Sequence, residues 1–182
     1  MSKVFINEYR PPSSVSEETW TLAEKDGALC LCVCDSDSLI YNLGTLLGRD
    51  VKYEDEADTP ILREAVQQLD EYFCGRRKTF TVPVKPATGT EFRRTVWQKL
   101  TEIPYGETIS YSELALRLTK PSAVRAVASA VALNPLLIFI PCHRVIAKSG
   151  AVGGYIAGTE CKKTLLETER LFKNSKDSIF SL

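Results

Sequence analysis

Apolar and polar positions alternate twice in quick succession near the start of the chain. Trp20 to Glu24 and Ala28 to Cys34 read as short strands, and Asp26-Gly27 between them is a strong hairpin signal. The period is then lost. Leu39 to Leu47 fits either a further strand or the start of a helix, and residues 49–59, RDVKYEDEADT, read as a charged loop. Thr59-Pro60 begins a helix, with Thr59 as N-cap and Pro60 at the first helical position. Behind it Ile61, Leu62, Ala65, Val66, Leu69, Tyr72 and Phe73 repeat with the helical period until Gly75 stops them. Thr79 to Val84 alternates like another strand, and Pro83, Pro86 and Gly89 mark a linker.

The second half reads mainly as helices. Thr90 to Leu100 carries Phe92, Val96, Trp97 and Leu100 on one side, and Pro104-Tyr105-Gly106 is a turn. Ser110 caps a helix bearing Tyr111, Leu114, Ala115 and Leu118. Lys120-Pro121 breaks it, and Ser122 is positioned to cap a helix from Ala123 to Leu133 that is rich in alanine. Two short helices around a tight turn, the second slim enough to approach another surface, fit a helix-turn-helix; a plain helical hairpin packing its alanines inward fits the pattern equally.

Composition keeps the chain among ordinary soluble proteins: 182 residues, 44% hydrophobic and 25% charged. No apolar run approaches the roughly 20 residues of a membrane span, and the first residues lack a secretory signal, so the expected location is the cytoplasm. Net charge is zero but unevenly spread. Residues 1–85 hold 10 Lys and Arg against 15 Asp and Glu, and residues 86–182 hold 13 against 8. That asymmetry is either chance or an acidic accessory domain joined to a basic one that meets phosphates. Cys30, Cys32 and Cys34 alternate with Leu31 and Val33, which on a regular strand puts all three thiols on one face. With no CxxC pair and a single histidine, packing explains them better than a metal.

The candidate chemistry lies after Asn134-Pro135, where the apolar run Leu136 to Ile140 leads into Pro141-Cys142-His143-Arg144-Val145. A thiol followed by imidazole and guanidinium is expected to have a lowered pKa and to act as a nucleophile. Sequence neighbours do not face each other on a helix, so a bridging water is the natural proton path from Cys142 to His143. Around it stand LDEYFCGRRKTFTVPV from Leu69, GTEFRRTVWQKLTEIPYGETISYSELA, RAVASAVALNPLLIFIPCHRVIAKSGAVGGYIAG and KKTLLETE. Through residues 69–170 this resembles the O6-alkylguanine-DNA alkyltransferases, also called methylated-DNA–protein-cysteine methyltransferases. PCHRV followed by a Gly-Gly-Tyr turn is highly specific to them.

The resemblance implies two domains: residues 1–85 as a small ribonuclease-H-like α/β domain, and residues 86–182 as a winged-helix-like domain with the helix-turn-helix. It implies a single-turnover transfer in which O6-alkylguanine is flipped out of the duplex and its alkyl group passes irreversibly to Cys142. His143 would deprotonate Cys142 through water, and Glu169, in a helix from Lys162 to Phe172, would orient the imidazole. Tyr111 would assist the departing base and Arg125 would fill the gap in the stack, with the alanine-rich helix in the minor groove. Asn134 would brace the active-site segment, and Val131, Val145, Tyr155 and Ile156 would line the alkyl pocket. Ser112, Arg93, Lys148 and Ser149 are further phosphate contacts.

One departure from the family pattern is clear: Ile156 and Ala157 stand where a polar residue and then Gly or Trp are usual, which bears on the size of alkyl group accepted. The zinc-binding histidines of some relatives are absent, so no metal or other cofactor is expected. The partner is double-stranded DNA carrying O6-alkylguanine, with O4-alkylthymine as a side substrate; the expected form is a monomer with no membrane or obligate protein partner. Three other readings stay open from the residues: a damage-binding protein without transfer, a cysteine hydrolase using Cys142, His143 and Glu169, and a DNA-binding regulator without chemistry.

Overall fold

The computed structural model describes residues 3–34 and 52–174; Leu39 to Leu47, undecided from the pattern, lies outside the described residues. Strands β1 (Lys3–Tyr9), β2 (Trp20–Lys25), β3 (Ala28–Cys34) and β4 (Lys52–Glu54) form one mixed sheet in the order β3-β2-β1-β4. The β2–β3 hairpin forms where expected, because Asp26 (φ +53°) and Gly27 (φ +76°) supply the two left-handed residues of a tight turn. The pattern does not flag β1, whose apolar stretch is broken by Asn7-Glu8. Nor does it flag β4, which lies within the expected charged loop and pairs parallel with β1. Pairing with neighbours, not an apolar face, makes β4 a strand.

Helix α1 (Pro60–Phe73) starts with the Thr59 side chain accepting from Leu62 N and ends before Gly75, whose φ of +70° favours glycine. A Cβ at Gly75 would stand 2.3 Å from the Phe172 ring, so the end of α1 and the end of the last helix meet there. Thr79 to Val84 does not become a strand. Gln68, only 2% exposed, accepts from the backbone N–H of both Thr81 and Val82, and Pro83 has no N–H to give a ladder. What remains is a single parallel bridge from Val84 to Leu29.

The three thiols of β3 do not share a face. Ala23 pairs with Leu31 and Glu24 with Leu29, leaving Cys30 as a bulge. The bulge turns Cys30 into the cluster of Val4, Ile6, Ala23, Leu31 and Val33, while Cys32 and Cys34 face the main core. Strict alternation across a strand holds only while the register is unbroken.

Downstream come α2 (Glu91–Leu100), capped by Thr90, β5 (Ile109–Ser110), α3 (Tyr111–Arg117), capped by Ser110, and α4 (Val124–Ala132). Ser122 does not cap α4. It sits inside a 3₁₀ turn, Pro121–Ala123, that runs straight into the helix and makes no side-chain cap. The helix-turn-helix pair therefore exists as α3 and α4, followed by β6 (Val145–Ile146) and α5 (Thr159–Phe172). No helix among the described residues is long and apolar enough to cross a membrane.

One core joins both halves of the chain. Trp20, Leu22 and Leu29 from the sheet, Leu62, Leu69 and Tyr72 from α1, and Trp97, Val127, Val131 and Leu165 belong to a single buried cluster. The outer edge of β3 is covered twice. Lys85 N and Ala87 N donate to Leu29 O and Cys30 O, while Pro135 O accepts from Cys32 N and Leu137 N donates to Cys32 O. The segment leading to Cys142 thus completes the sheet of the first half and leaves its edge closed.

Gln68→Ala strands the buried Val82 N–H and cuts the 79–84 segment loose. A loss of about 2–3 kcal/mol in urea unfolding at unchanged m-value is expected; a loss near zero would show that this segment holds itself.

Candidate active site

Between α4 and Cys142 most backbone N–H groups have a partner. Asn134, 2% exposed, accepts from Leu136 N, and its amide N–H group donates to Ile140 O (2.8 Å), Leu136 O (3.2 Å) and Cys142 Sγ (3.0 Å). The chain then makes two three-residue turns. Phe139 N donates to Leu137 O around Ile138, whose φ is +68°, and Cys142 N donates to Ile140 O around Pro141. A β-branched residue at positive φ costs on the order of 1–3 kcal/mol. It persists because Ile138 is buried within the main core. The result presents Cys142 at the start of a 3₁₀ turn, Cys142–Arg144, beneath the cavity.

Glu169, fully buried on α5, is the charge around which the site is assembled. Its Oε1 accepts from His143 Nε2 (2.8 Å), Tyr72 OH (2.8 Å) and Arg144, and its Oε2 accepts from Arg144 Nε and Gly106 N (both 2.9 Å). Arg144 is itself held by Ile103 O at 2.6 Å and lies over the Tyr105 ring. Burial pushes the Glu169 carboxyl up, but His143 and Arg144 outweigh it and hold the group well below the usual carboxylate range. An ionised carboxylate only accepts, so His143 Nε2 must carry the hydrogen. Nδ1 is then the basic nitrogen, and it is buried with no hydrogen-bond partner among the described residues. Burial lowers the His143 pKa despite the attraction of Glu169, so the imidazole is neutral at neutral pH.

The thiol departs from expectation. Burial raises the Cys142 pKa above 9.0, offset only in part by the Asn134 N–H and the Lys162 ammonium. Arg144 is committed to Glu169 and His143 is neutral, so the positive neighbours read from the sequence do not make a resting thiolate. Lys162, 1% exposed, donates to Val145 O at 2.7 Å and lines the same cavity.

That cavity, about 420 Å³, is lined by Tyr111, Val131, Ala132, Asn134, Cys142, Gly154, Tyr155, Ile156 and Lys162. Of the expected pocket residues, Val145 is not in its lining: it is fully buried and pairs with Ile109 across β5–β6. That parallel pair places Ser110, the cap of α3, beside Ile146, so Tyr111 opens onto the cavity next to Cys142. The Tyr155 hydroxyl is buried without a partner among the described residues, while Ile156 is 56% exposed. On α4 the buried side is Val127, Ala130 and Val131, and Arg125, Ala126, Ser129 and Ala132 are exposed. The alanines thus do more than pack inward, because a slim surface runs from Arg125 to the cavity wall at Ala132. Ser112 bonds Ser110 at 2.9 Å, Arg93 is half-buried in the first turn of α2, and Lys148 and Ser149 are exposed in the turn after β6.

Sequence reasoning missed Tyr72, Arg144, Lys162 and Ala132 as site residues. Tyr72 reads as one more apolar position of α1, and Lys162 as the first residue of the expected last helix. Arg144, adjacent to the nucleophile, was the one with a signal.

A protein with a buried cysteine under a His–Glu relay, opening beside the second helix of a helix-turn-helix, is defined by this arrangement. Two family models match it in turn: the ribonuclease-like domain of 6-O-methylguanine DNA methyltransferase over residues 22–86, and the DNA binding domain of the same over residues 91–171. The constitutive methylated-DNA–protein-cysteine methyltransferase of Bacillus subtilis is 49% identical over 127 residues, 69% of this chain and 76% of the relative. Among solved structures, the O6-methylguanine methyltransferase of Mycobacterium tuberculosis superposes with a TM-score of 0.76 at 32% identity, covering 98% of this chain and 99% of that one. The Mycobacterium tuberculosis OGT crystallised in complex with DNA gives 0.75 at 32% identity over 92% of this chain and 94% of that one. The chain belongs to the 6-O-methylguanine DNA methyltransferase family.

Two outcomes follow from the electrostatics. Iodoacetamide reacts with Cys142 more slowly than with exposed Cys74, and the Cys142 rate is still rising at pH 9.0; a plateau below that pH, read by peptide mass spectrometry, would mean a preformed thiolate. For stability, Glu169 and His143 both have lowered folded-state values, so the unfolded chain binds more protons as pH falls. Tm therefore declines below about pH 6.5, where an unfolded histidine protonates, and more steeply below about 4.5 as Glu169 joins it. A Tm unchanged down to pH 4 would contradict the assigned pair.

Proposed function

We propose that this protein repairs O6-alkylguanine in double-stranded DNA by moving the alkyl group irreversibly onto Cys142 after the base is flipped into the cavity. The observation that carries the reading is Cys142 itself: a protonated thiol, linked in sequence to a neutral base, at the floor of a pocket whose wall is the exposed small-residue helix α4. A saturated carbon calls for a soft nucleophile, and a guanine leaving group calls for a proton. His143 Nδ1 takes the Cys142 proton through a water. The thiolate attacks the alkyl carbon, the sulfur–carbon bond forms, and the carbon–O6 bond breaks with its electron pair going to the purine. Tyr111 supplies a proton to the purine and recovers one from the solvent or His143, leaving Cys142 as a thioether and guanine restored. No cofactor is consumed, and with the sulfur spent the protein works once.

Arg125 at the start of α4 is the residue that fills the stack, and Ala126, Ser129 and Ala132 allow close approach to a groove. Arg93, Ser112, Lys148 and Ser149 are proposed phosphate contacts. Val131, Tyr155 and Ile156 hold the alkylated base, and Asn134 keeps the thiol aligned. The division into residues 1–85 and 86–182 belongs to the same proposal, in keeping with the two family models that part between residues 86 and 91. The damaged duplex is met by a monomer.

Intact mass spectrometry after incubation with a duplex containing one O6-methylguanine tests this. The expected result is a gain of one methyl group in place of one hydrogen on Cys142, one per protein, and none in Cys142→Ser. An unmodified Cys142 with the damaged duplex bound would leave a damage sensor, and catalytic turnover of esters would point to a hydrolase.

A further inference from the structure

Tyr72 comes from α1, in the first half of the chain, yet its hydroxyl ends inside the relay of the second half. It donates to Glu169 Oε1 at 2.8 Å and stands 3.5 Å from His143 Nε2, so it touches both members of the pair at once. The side chain is fully buried, its ring is gripped edge-on by Phe73 and Tyr105, and Phe80 tilts against it at 5.6 Å.

We propose that Tyr72 is a positioning residue of the transfer relay: its hydroxyl holds Glu169 Oε1 toward His143 and limits how strongly that oxygen draws the imidazole proton. Oε1 is the shared atom. Arg144 and Gly106 N secure Oε2, while Oε1 accepts from Tyr72 and His143 at 2.8 Å each and from Arg144, and of these donors Tyr72 also lies within 3.5 Å of His143 Nε2. Each donor to a carboxylate lowers its basicity, so removing one shifts the remaining burden onto its neighbours. Without the Tyr72 hydroxyl, Glu169 would stabilise the imidazolium more and hold the ring less well. The proton would then be trapped on His143 at a pH where it ought to move on.

His143 is faced by Glu169 and Lys162 from α5, by Tyr72 from α1, and by Arg144 and Cys142 on its own turn, with Tyr105 acting through Glu169. Of the groups that touch His143 or its partner Glu169 Oε1 by hydrogen bond, Tyr72 can be changed by one oxygen without removing a charge. The role rests on the transfer reading above, and it makes the first half of the chain a participant in setting the relay.

His143 is the sole histidine, so its ring nitrogens can be followed by ¹⁵N NMR in the free, full-length protein without ambiguity. In Tyr72→Phe the His143 titration moves up by roughly half to one pH unit and the acid limb of the transfer rate moves with it. The rate at neutral pH falls about tenfold, while affinity for a damaged duplex stays within about twofold. Replacing Tyr72 by 3-fluorotyrosine, a stronger donor of nearly the same shape, moves the titration down. Phe80→Leu, which loosens the same aromatic cluster, lowers stability and leaves the titration in place. An unshifted His143 titration in both Tyr72 variants would overturn the role and reduce Tyr72 to packing. A shifted titration in the Tyr72 variants, with a wild-type protein that never alkylates Cys142, would instead sink the transfer reading and leave the Tyr72–Glu169–His143 coupling standing.

Discussion

A buried carboxylate is tolerated only where enough donors surround it, and Glu169 is the clearest example in this chain. Hydrogen bonds reach it from α1 through Tyr72, from the turn after α2 through Gly106 N, and from the 3₁₀ turn through His143 and Arg144. An unpaired charge at this depth would cost several kcal/mol or neutralise itself. Fully satisfied, it does the reverse and pins three distant segments to α5. The histidine tautomer, the direction of its free nitrogen and the position of the thiol all depend on that one group remaining ionised.

The same burial explains why the nucleophile is kept protonated. Desolvation raises the thiol and lowers the imidazole, so at rest both members of the pair are neutral. A chain that uses its cysteine once gains from such storage, because thiolate character is what makes a cysteine prone to oxidation. Asn134 and Lys162 bias the sulfur toward ionisation without reaching it, leaving the final step to the base and a bound substrate. Activation is thus a property of the assembled site: His143 acts as a neutral base set by Glu169, not as a positive neighbour of Cys142.

Placement of the site depends equally on a structural debt of the first half. The outer edge of β3 would expose unpaired backbone groups, and the segment from Pro135 to Leu137 closes it. Once tied there, the chain has only residues 138–141 in which to turn back to Cys142, and it does so through two tight turns with Ile138 held at positive φ. Edge closure, backbone strain and presentation of the thiol are one feature. The small exposed side of α4 lies next to it because the β5–β6 pair sets α3 and the active-site segment side by side.

Local signals were legible wherever a residue's own chemistry decided the outcome. Asp26-Gly27 made its hairpin, Thr59, Thr90 and Ser110 made their caps, and Gly75 ended its helix, since each depends on a few neighbouring backbone groups. Cys142 and His143 in PCHRV were legible for the same reason, because reactive side chains announce themselves by type, whereas Glu169 entered only through the family resemblance. Elements and roles fixed by distant partners were not legible. Gln68 took the hydrogen bonds that would have made 79–84 a strand, a bulge turned Cys30 away from Cys32 and Cys34, and Pro121–Ala123 absorbed the cap expected of Ser122. Tyr72 read as one apolar position among seven and proved to touch Glu169 97 residues away. Sequence by itself determined which groups could react and where the chain would turn; only the tertiary structure decided their protonation and their partners, because both are set by burial and by contacts between segments that no local pattern encodes.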